Sequence, residues 1–504
     1  MPDSRDQISP VREKGMDDAS RAENPALVEQ AQWIDPNLEK RIVRKLDWNL
    51  LSLVSALYLL AFLDRSNIGN AKVAGMQEDL SLTDDDYQWL LTIFYISYIV
   101  FAFLVLGWKM VPPHMWAAFV VFGWGVASTA QAGAFNWAGM MVCRFFLALF
   151  EQGFGPGVPY MLSFFYLRHE IGFRSGIFLS MAPLATCFAG ALAYGITSGH
   201  AAIANWRLLF LVEGAPVLAM GVVSFFFLPD GPSEARFFNE DEKRVTRART
   251  MRQTAQTERT RGVDWKETFA TLADIKPWMT ALMYFSCNVS FSSLPVYLPT
   301  ILEEMGFTGV TAQGLSAPPY FLSFLITIAT TWIADRTQQR GLTIMLTTAI
   351  GGVGYIMLAA TSSVGTRYAG SFLAAAGVFP AIANILPWVT NNQGSDSRRG
   401  AGFVMLNLIG QCGPLLGTRV YPETDGPQYV KGHSICAAFL FFTTLLAFSL
   451  RMLLAWENKK MDRQYGTLEE MEARAAGATG EGEDPKAMPD RGLETYGPTF
   501  RYVL

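Results

Sequence analysis

The chain has 504 residues, of which 51% are hydrophobic and only 17% are charged, and its mean hydropathy is +0.21. A soluble protein of this size cannot keep so much apolar material off its surface, and the same figures exclude a disordered chain and a nucleic-acid-coating protein. The net charge of -4 is less informative, because in a membrane protein the placement of charge matters more than its sum.

Apolar blocks of membrane-spanning length recur from Leu46 to Trp456 and are separated by short polar loops. A hydrocarbon layer about 30 Å thick requires roughly 20 mostly apolar helical residues. We therefore predict about twelve spans. They start near Leu46, Tyr87, Met115, Trp137, Arg174, Arg207, Lys276, Gly314, Gly341, Arg367, Gly400 and Ser434.

A charged segment from Arg236 to Lys276 divides six spans from six. The predicted fold class is an all-α membrane protein with twelve transmembrane helices in two pseudo-symmetric six-helix bundles. The predicted divisions are a disordered cytoplasmic tail at 1–45, a first bundle at 46–228, a cytoplasmic linker at 229–275, a second bundle at 276–456 and a cytoplasmic tail at 457–504. We expect the linker to be a solvated amphipathic connector, although its basic residues are also typical of a segment attracted to anionic lipid.

The placement of basic residues predicts the orientation of the chain. Lys40, Arg41, Arg44 and Lys45 precede the first span, and lysines and arginines recur in alternate loops. The intervening loops are acidic or uncharged. Because positive residues resist translocation, we predict that both termini are cytoplasmic.

Two six-span halves are typical of secondary transporters, which bind substrate near the bilayer midplane between the halves. The five cysteines form no Cys-x-x-Cys motif, and the four histidines lie in loops or at helix ends. We therefore expect no metal, no cofactor and no enzymatic site.

The fourth span carries Arg144 and Glu151, seven positions apart and hence nearly on one helix face. Charges inside hydrocarbon cost several kcal/mol unless they are paired or wetted, so such residues point to function. One interpretation is that Arg144 attracts an anionic substrate and Glu151 carries the coupled proton. The alternative is a structural ion pair or a contact between helices. Glu213, in the sixth span, is a second candidate for proton coupling.

The first span ends at the string Phe62-Leu63-Asp64-Arg65-Ser66-Asn67. The outer end of a helix is already wet, so a capping or loop role for Asp64 and Arg65 is at least as good an interpretation as a substrate contact.

The second half is polar through hydroxyl and amide groups. The predicted ligand-facing residues are Asn288, Ser292, Asn384 and Trp388. The first two lie in a span broken by Pro295 and Pro299, as in discontinuous helices that line a substrate path. Serines in membrane helices also often bond only to their own backbone, which remains the alternative.

Several strings carry a family resemblance: Leu63-Asp64-Arg65-Ser66-Asn67-Ile68-Gly69-Asn70-Ala71, Arg144-Phe-Phe-Leu-Ala-Leu-Phe-Glu151-Gln-Gly-Phe-Gly-Pro-Gly157 and Asp335-Arg336-Thr-Gln-Gln-Arg340-Gly341. Through them the chain resembles the major facilitator superfamily, and within it the fungal allantoate permease branch of the anion:cation symporter family. The resemblance implies proton-coupled uptake of a small organic anion, such as a ureide or a carboxylate vitamin. It also implies that Asp335, Arg336 and Arg340 latch an inward gate. Asp64 and Arg65 are the other predicted gating residues. The corresponding first-half loop, Gly107–His114, lacks the acidic residue.

The resulting hypothesis is a monomeric, multi-pass transporter of the plasma membrane that alternates access by rocking two halves. Its partners would be a small organic anion, protons and the lipid bilayer, with no nucleic acid. An exporter of an endogenous metabolite and a nutrient sensor that binds without flux are the alternatives. A membrane-embedded enzyme is disfavoured.

Overall fold

The computed structural model describes residues 36–162, 165–199, 202–232, 234–255, 265–393, 396–467, 470 and 501–504. Within these ranges all regular structure is helical, and no β-strand occurs. The helices of the N half are α1 Asn37–Asp79, α2 Asp84–Val100, α3 Pro113–Ala130, α4 Trp137–Gln152, α5 Arg168–Thr197 and α6 Asn205–Phe227. The helices of the C half are α7 Ile275–Glu304, α8 Gly309–Thr337, α9 Arg340–Ala360, α10 Val364–Asn391, α11 Asp396–Gly410 and α12 Val430–Tyr465.

Eight helices in the described ranges are long and apolar enough to cross a membrane on these grounds alone. Two others, α2 and α4, have only 17 and 16 residues. Each is continued by further helical turns, at Ala102–Leu106 and at Gly157–Leu162. The remaining two, α3 and α7, have 18 and 30 residues, so the described ranges contain the twelve helices that the sequence predicts.

Side-chain caps fix where several helices begin. The Thr83 hydroxyl accepts from the backbone N–H of Asp86 at 3.1 Å, and the Asp86 carboxylate accepts from the backbone N–H of Thr83 at 3.0 Å. At the start of α4, the Asn136 side chain accepts from the Gly139 N–H at 2.8 Å. Such caps satisfy amides that the first helical turn leaves without a partner.

The two halves meet along close helix crossings. A Cβ at Gly69 on α1 would overlap the backbone of Val296 on α7, so only glycine permits this approach. A Cβ at Gly176 on α5 would likewise overlap Thr331 on α8. Small residues allow this close contact between membrane helices. The outward surfaces carry exposed apolar side chains, as expected where helices face lipid; examples are Phe119 on α3, Phe225 on α6, Leu346 on α9 and Phe448 on α12.

Helix Glu240–Ala255 of the linker defines one end of the bundle, which we call the linker face; the other end is the opposite face. This helix is docked rather than solvated. Glu242 is 1% exposed and accepts from the Lys45 ammonium at 2.7 Å, and Arg249 donates to Glu170 at 2.7 Å. Glu242 and Arg249 are seven positions apart, and this spacing places both on the face that meets the N half.

The Glu242 carboxyl stays ionised in this setting. Burial alone would raise its pKa, but the hydrogen bonds from Lys45 and from the Asn239 backbone outweigh burial and leave the pKa below its usual value. The linker helix is thus held on the N half by a buried, charged contact.

Both predicted tails include ordered segments. Residues 36–45 belong to the start of α1, where Ile42 is buried, whereas residues 1–35 lie outside the described residues. At the other end α12 continues to Tyr465, and residues 501–504 pack against the linker face. Most of the remainder of the predicted C-terminal tail lies outside the described residues.

Candidate functional site

The first span does not end at Asn67. The α-helix continues to Ala71, and the backbone stays helical up to a break at Gly75, where φ is +95°. Asp64 and Arg65 therefore lie inside a continuous helix, and the capping or loop interpretation is wrong. Asn67 and Asn70 did not end the helix, because they are buried between helices rather than facing water.

A small cavity lies between the halves, well inside the bundle. From the N half it is lined by Arg65, Leu91, Phe94, Tyr95 and Arg144, and from the C half by Ser292, Val296, Tyr297 and Thr418. Only about 10 Å³ is open to the centre of a water molecule, close to the minimum for a single water. The structure is therefore occluded around this cavity, and a substrate requires the halves to separate.

Arg144 is a buried cation of the cavity, and no salt bridge joins it to any of the described residues. Its residue is 1% exposed, and its Nε and Nη1 have no hydrogen-bond partner among the described residues. The guanidinium carbon lies 5.2 Å from the centre of the Phe94 ring. A buried charge without a counterion is costly, so this group suits an anion that enters the cavity.

Glu151 pairs with Arg65 of α1 rather than with Arg144 of its own helix. Its second oxygen, Oε2, has no partner among the described residues. The Arg65 guanidinium also lies 5.0 Å from the Tyr98 ring and 5.2 Å from the Phe94 ring. Two guanidinium groups therefore line the cavity, and Arg65 connects it to the Glu151 carboxylate, which does not line it. Arg65 can exchange this carboxylate for an anionic ligand if Glu151 takes a proton.

Two further acids lie within the N half and do not line the cavity. Asp64 accepts from the Ser128 hydroxyl at 2.6 Å, whereas its Oδ2 has no hydrogen-bond partner among the described residues. Glu213 on α6 is buried, neither of its oxygens has a partner in the described structure, and it interacts electrostatically with Asp64. An unpartnered carboxyl group is far less costly to bury in its neutral, protonated form.

Among the predicted C-half residues, only Ser292 lines the cavity. Asn288 donates to the Gly410 carbonyl at 3.1 Å and so ties α7 to α11. Asn384 donates to the Pro380 carbonyl at 2.9 Å within its own helix. Trp388 lies at the linker face, where its indole N–H donates to the Val503 carbonyl at 2.8 Å.

The predicted gating loop lies at the linker face between α8 and α9. Asp335 and Arg340 form an ion pair there. A Cβ at Gly172 on α5 would overlap the Asp335 carboxylate, so α5 of the N half rests directly on this pair. Arg336 is exposed and lies over the Trp332 ring at 5.4 Å, away from the pair.

Contacts between the halves also close the opposite face. Lys72 donates to Glu423 at 2.9 Å, Arg419 donates to Asp85 at 2.9 Å, and the hydroxyls of Thr92 and Thr418 are 3.1 Å apart. The hydrogen bond from Lys72 lowers the pKa of Glu423. Arg419, the basic partner of Asp85, lies far away in the chain and was not predicted from the sequence.

Sequence reasoning also missed the aromatic part of the site. Phe94 and Tyr98 on α2 lie four positions apart, on the helix face that meets Arg65. Tyr297 of the C half donates its hydroxyl to the Thr418 carbonyl at 2.8 Å. The spacing of the α2 aromatics was visible in the sequence, but an aromatic stripe is equally typical of ordinary helix packing.

Comparison with known proteins agrees with this architecture. The family model described as Major Facilitator Superfamily matches residues 54–418. The chain is 33% identical over 476 residues to the MFS transporter prlL of Fungal sp. (strain NRRL 50135), covering 91% of this chain and 93% of that protein. It is 29% identical over 428 residues to the high-affinity nicotinic acid transporter of Saccharomyces cerevisiae, covering 84% and 79% of the two chains.

Solved structures show the same fold. The proton:xylose symporter XylE bound to 6-bromo-6-deoxy-D-glucose matches with a TM-score of 0.63 and 13% identity, covering 79% of this chain and 94% of that one. A bacterial homolog to the human lysosomal transporter Spinster, inward-facing and unoccupied, matches with a TM-score of 0.59 and 14% identity, covering 83% and 97%. The chain is thus a multi-pass membrane transporter, not an enzyme, and it belongs to the major facilitator superfamily.

Proposed function

We propose that this transporter is a proton-coupled symporter of a small organic anion whose charged group is a carboxylate. The observation that carries the proposal is the buried Arg144, which has no ion-pair partner among the described residues and lines an occluded cavity beside Arg65, itself paired with Glu151. In a closed cavity of low dielectric constant, such a cation favours an anionic ligand over a neutral one.

The groups around Arg144 define the ligand further. A guanidinium can bind a carboxylate through two parallel N–H···O bonds. Phe94 and Tyr95 offer aromatic surface beside it, and Ser292 and Thr418 supply hydroxyls from the other half. This combination favours a compact acid with a flat or apolar body. The similarity to a nicotinic acid transporter supports the same class of substrate.

Protonation of Glu151 would couple the proton to the anion. Once neutral, Glu151 no longer neutralises Arg65, so both guanidinium groups are free to hold the substrate carboxylate. Proton and anion then each raise the affinity for the other, as thermodynamic linkage requires. Glu213, whose oxygens have no partner among the described residues, and Asp64 beside it are proposed as further acids that hold protons behind the cavity.

Access would alternate between the two faces. The Asp335–Arg340 pair beneath α5 is proposed to gate the linker face, and the Lys72–Glu423 contact to hold the opposite face. We place the linker face in the cytoplasm, because Lys45, Arg174 and Arg249 lie there and basic residues stay cytoplasmic. The plasma membrane is the proposed location, and the monomer is the proposed functional unit because one chain forms the whole cavity.

Uptake into proteoliposomes tests the proposal, with radiolabelled nicotinate as the first probe and a panel of other small carboxylates beside it. An inside-alkaline pH gradient should drive accumulation of at least one carboxylate, and a protonophore should abolish it. Carboxamide analogues of the same compounds serve as matched neutral controls. Accumulation that ignores the gradient, or equal uptake of acid and amide, would contradict the proposal.

A further inference from the structure

Residues 501–504, with the sequence Arg-Tyr-Val-Leu, lie across the linker face of the C half. They contact four helices, α7, α9, α10 and α12, through the hydrogen bonds described below. These contacts lie away from the substrate cavity, and neither the superfamily fold nor the proposed transport cycle requires them.

Two asparagines recognise the backbone of this segment. Asn458 on α12 accepts from the Tyr502 N–H at 2.8 Å and donates to the Tyr502 carbonyl at 2.9 Å. Asn392, the residue that follows α10, accepts from the Val503 N–H at 2.8 Å and donates to the Val503 carbonyl at 3.0 Å. In an extended chain, successive residues present their backbone groups to opposite sides. Tyr502 and Val503 thus each exchange both backbone groups with one side-chain amide, Tyr502 with that of Asn458 and Val503 with that of Asn392.

Two further hydrogen bonds fix the position of segment 501–504. The Trp388 indole N–H also donates to the Val503 carbonyl, at 2.8 Å, and the backbone N–H of Gly341 on α9 donates to the Leu504 carbonyl at 3.1 Å. Trp388 is fully buried, so its N–H would be left without a partner if the segment departed. A buried donor in need of an acceptor gives the site a specific requirement for a backbone carbonyl at this position.

The segment's side chains add sequence specificity. Arg501 donates to Asp462 at 2.7 Å and to the Gly466 carbonyl at 2.8 Å, both near the end of α12. The Tyr502 ring is buried beneath the Lys276 ammonium, 5.0 Å from the ring centre, and its hydroxyl lies 3.3 Å from that nitrogen. The site thus offers an acidic partner to Arg501 and a cation to the ring of Tyr502, and these two contacts favour the sequence Arg-Tyr.

We propose that the linker face of the C half is a peptide-binding site whose ligand is the chain's own segment 501–504, and that docking restrains the end of α10. The restrained residues, Trp388 to Asn392, follow Pro387, which breaks the backbone hydrogen-bonding pattern of α10. Docking joins this end of the helix to α9 and α12. Release of the segment lets the end of α10 bend at Pro387.

Docking is reversible because the contact is small and the ligand is tethered. Four residues form it, and a tether converts binding into an intramolecular event with an effective concentration of order mM. Weak intrinsic affinity is then sufficient for occupancy, and competition or local change can reverse it.

The experiment uses a fluorescent peptide of residues 498–504, Pro-Thr-Phe-Arg-Tyr-Val-Leu, and fluorescence anisotropy on the full chain in nanodiscs. The wild type should bind it weakly, because its own segment occupies the site. The double variant Arg501→Glu with Val503→Pro loses the Asp462 contact and the N–H that Asn392 accepts, so it should bind the peptide at least tenfold more tightly. Adding Asn392→Ala to that variant should reverse the gain, and a peptide carrying proline in place of Val503 is the matched control.

Equal affinity of the wild type and the double variant would overturn the proposal, as would binding that survives Asn392→Ala. Hydrogen exchange on the unmodified wild-type chain provides a second measurement that needs no destabilising variant. The Tyr502 and Val503 amides should be protected at least tenfold relative to a free peptide, and Asn392→Ala should remove the protection at Val503. Exchange at the free-peptide rate in the wild type would refute the docked site.

Discussion

The N half and the C half contribute different chemistry to one cavity. The N-half wall holds both charged residues that line the cavity, Arg65 and Arg144, and Arg65 is paired with Glu151. The C-half wall holds Ser292, Tyr297 and Thr418 and no charged residue. All the strong electrostatic contacts of a bound anion would therefore be made to one rigid body. The C half would add its contacts to the ligand only when the halves close. Closure would then depend on a ligand that fills the space between Arg144 and the C-half wall.

The faces of the bundle show a related asymmetry. The C-half loop between α8 and α9 carries the Asp335–Arg340 ion pair. The corresponding N-half loop lacks the acid, and there Trp108 and Trp116 both donate to the Gly153 carbonyl, at 2.7 and 3.0 Å. At the end of the same loop the backbone N–H of His114 donates to the Asp230 carboxylate at 3.0 Å, and a ring nitrogen of His114 lies 2.7 Å from that carboxylate. The N-half corner therefore combines tryptophan hydrogen bonds with a contact to an acid outside the loop, whereas the C-half corner carries an ion pair within its own loop.

The largest expected effect comes from the charged wall. Replacing Arg144 by Ala removes the cavity's unpaired cation, so transport of the carboxylate should fall on the order of 100-fold, as expected when a charge-assisted hydrogen bond is lost. Thermal stability in detergent should not fall, because the buried charge lacks a compensating partner in the occluded state. Arg144→Lys is the matched control, since it keeps the charge without the two-point geometry. Transport that persists in the alanine variant would remove Arg144 from the substrate site.

A second prediction separates binding from coupling on the same wall. In Glu151→Gln the residue can no longer exchange a proton, so a pH gradient should not drive accumulation. Exchange of labelled for unlabelled substrate across the membrane should continue, because it needs no net proton movement. Counterflow assays in proteoliposomes measure both. Gradient-driven accumulation in this variant would place the coupling acid elsewhere, with Glu213 as the next candidate.

The uncharged wall should matter less. Ser292→Ala removes one neutral hydroxyl, and a neutral hydrogen bond contributes about 1 kcal/mol, so apparent affinity should fall about fivefold. Concentration-dependent uptake gives this value, and Thr418→Val is the matched substitution at the other C-half hydroxyl that lines the cavity. A loss as large as that of Arg144→Ala would show that the C half contributes more than the geometry implies.

The smallest effect concerns the opposite face. The hydrogen bond from Lys72 lowers the pKa of Glu423, so the contact exists while the carboxylate is ionised and is lost as pH falls through that lowered pKa. Acidification below the usual glutamate value of 4.5 should therefore widen the opposite face slightly. Spin labels on the exposed Glu78 and Gln428 report the distance across it. Glu423→Gln should show the wider distance already at neutral pH, and a distance independent of both pH and this substitution would contradict the prediction.

The sequence allowed the twelve helices and their division into two halves to be predicted, because span length and charge placement are local properties read along one chain. It also identified Arg144 and Glu151, because charges in apolar spans are conspicuous. It did not reveal that Glu151 pairs with Arg65. That contact depends on how α1 and α4 cross, and no single-chain pattern encodes the crossing.

Two other predictions, the end of the first helix and the position of Trp388, were wrong because they too depend on tertiary packing. Polar residues after Phe62 indicated the end of a helix, whereas tertiary packing buries Asn67 and Asn70 and the helix continues. Trp388 was predicted to face the ligand, but the structure places it against Val503, more than a hundred positions away in the chain. Partners so distant in sequence are specified only by the assembled bundle.

The most direct test of the central claim is proton uptake on anion binding. The purified protein would be titrated in weakly buffered solution, with a pH indicator, against the tightest-binding carboxylate of the panel. If Glu151 takes a proton as the anion reaches Arg144, binding to the wild type should consume protons and binding to Glu151→Gln should not. Anion binding without proton uptake in the wild type, or equal uptake in the variant, would contradict the account.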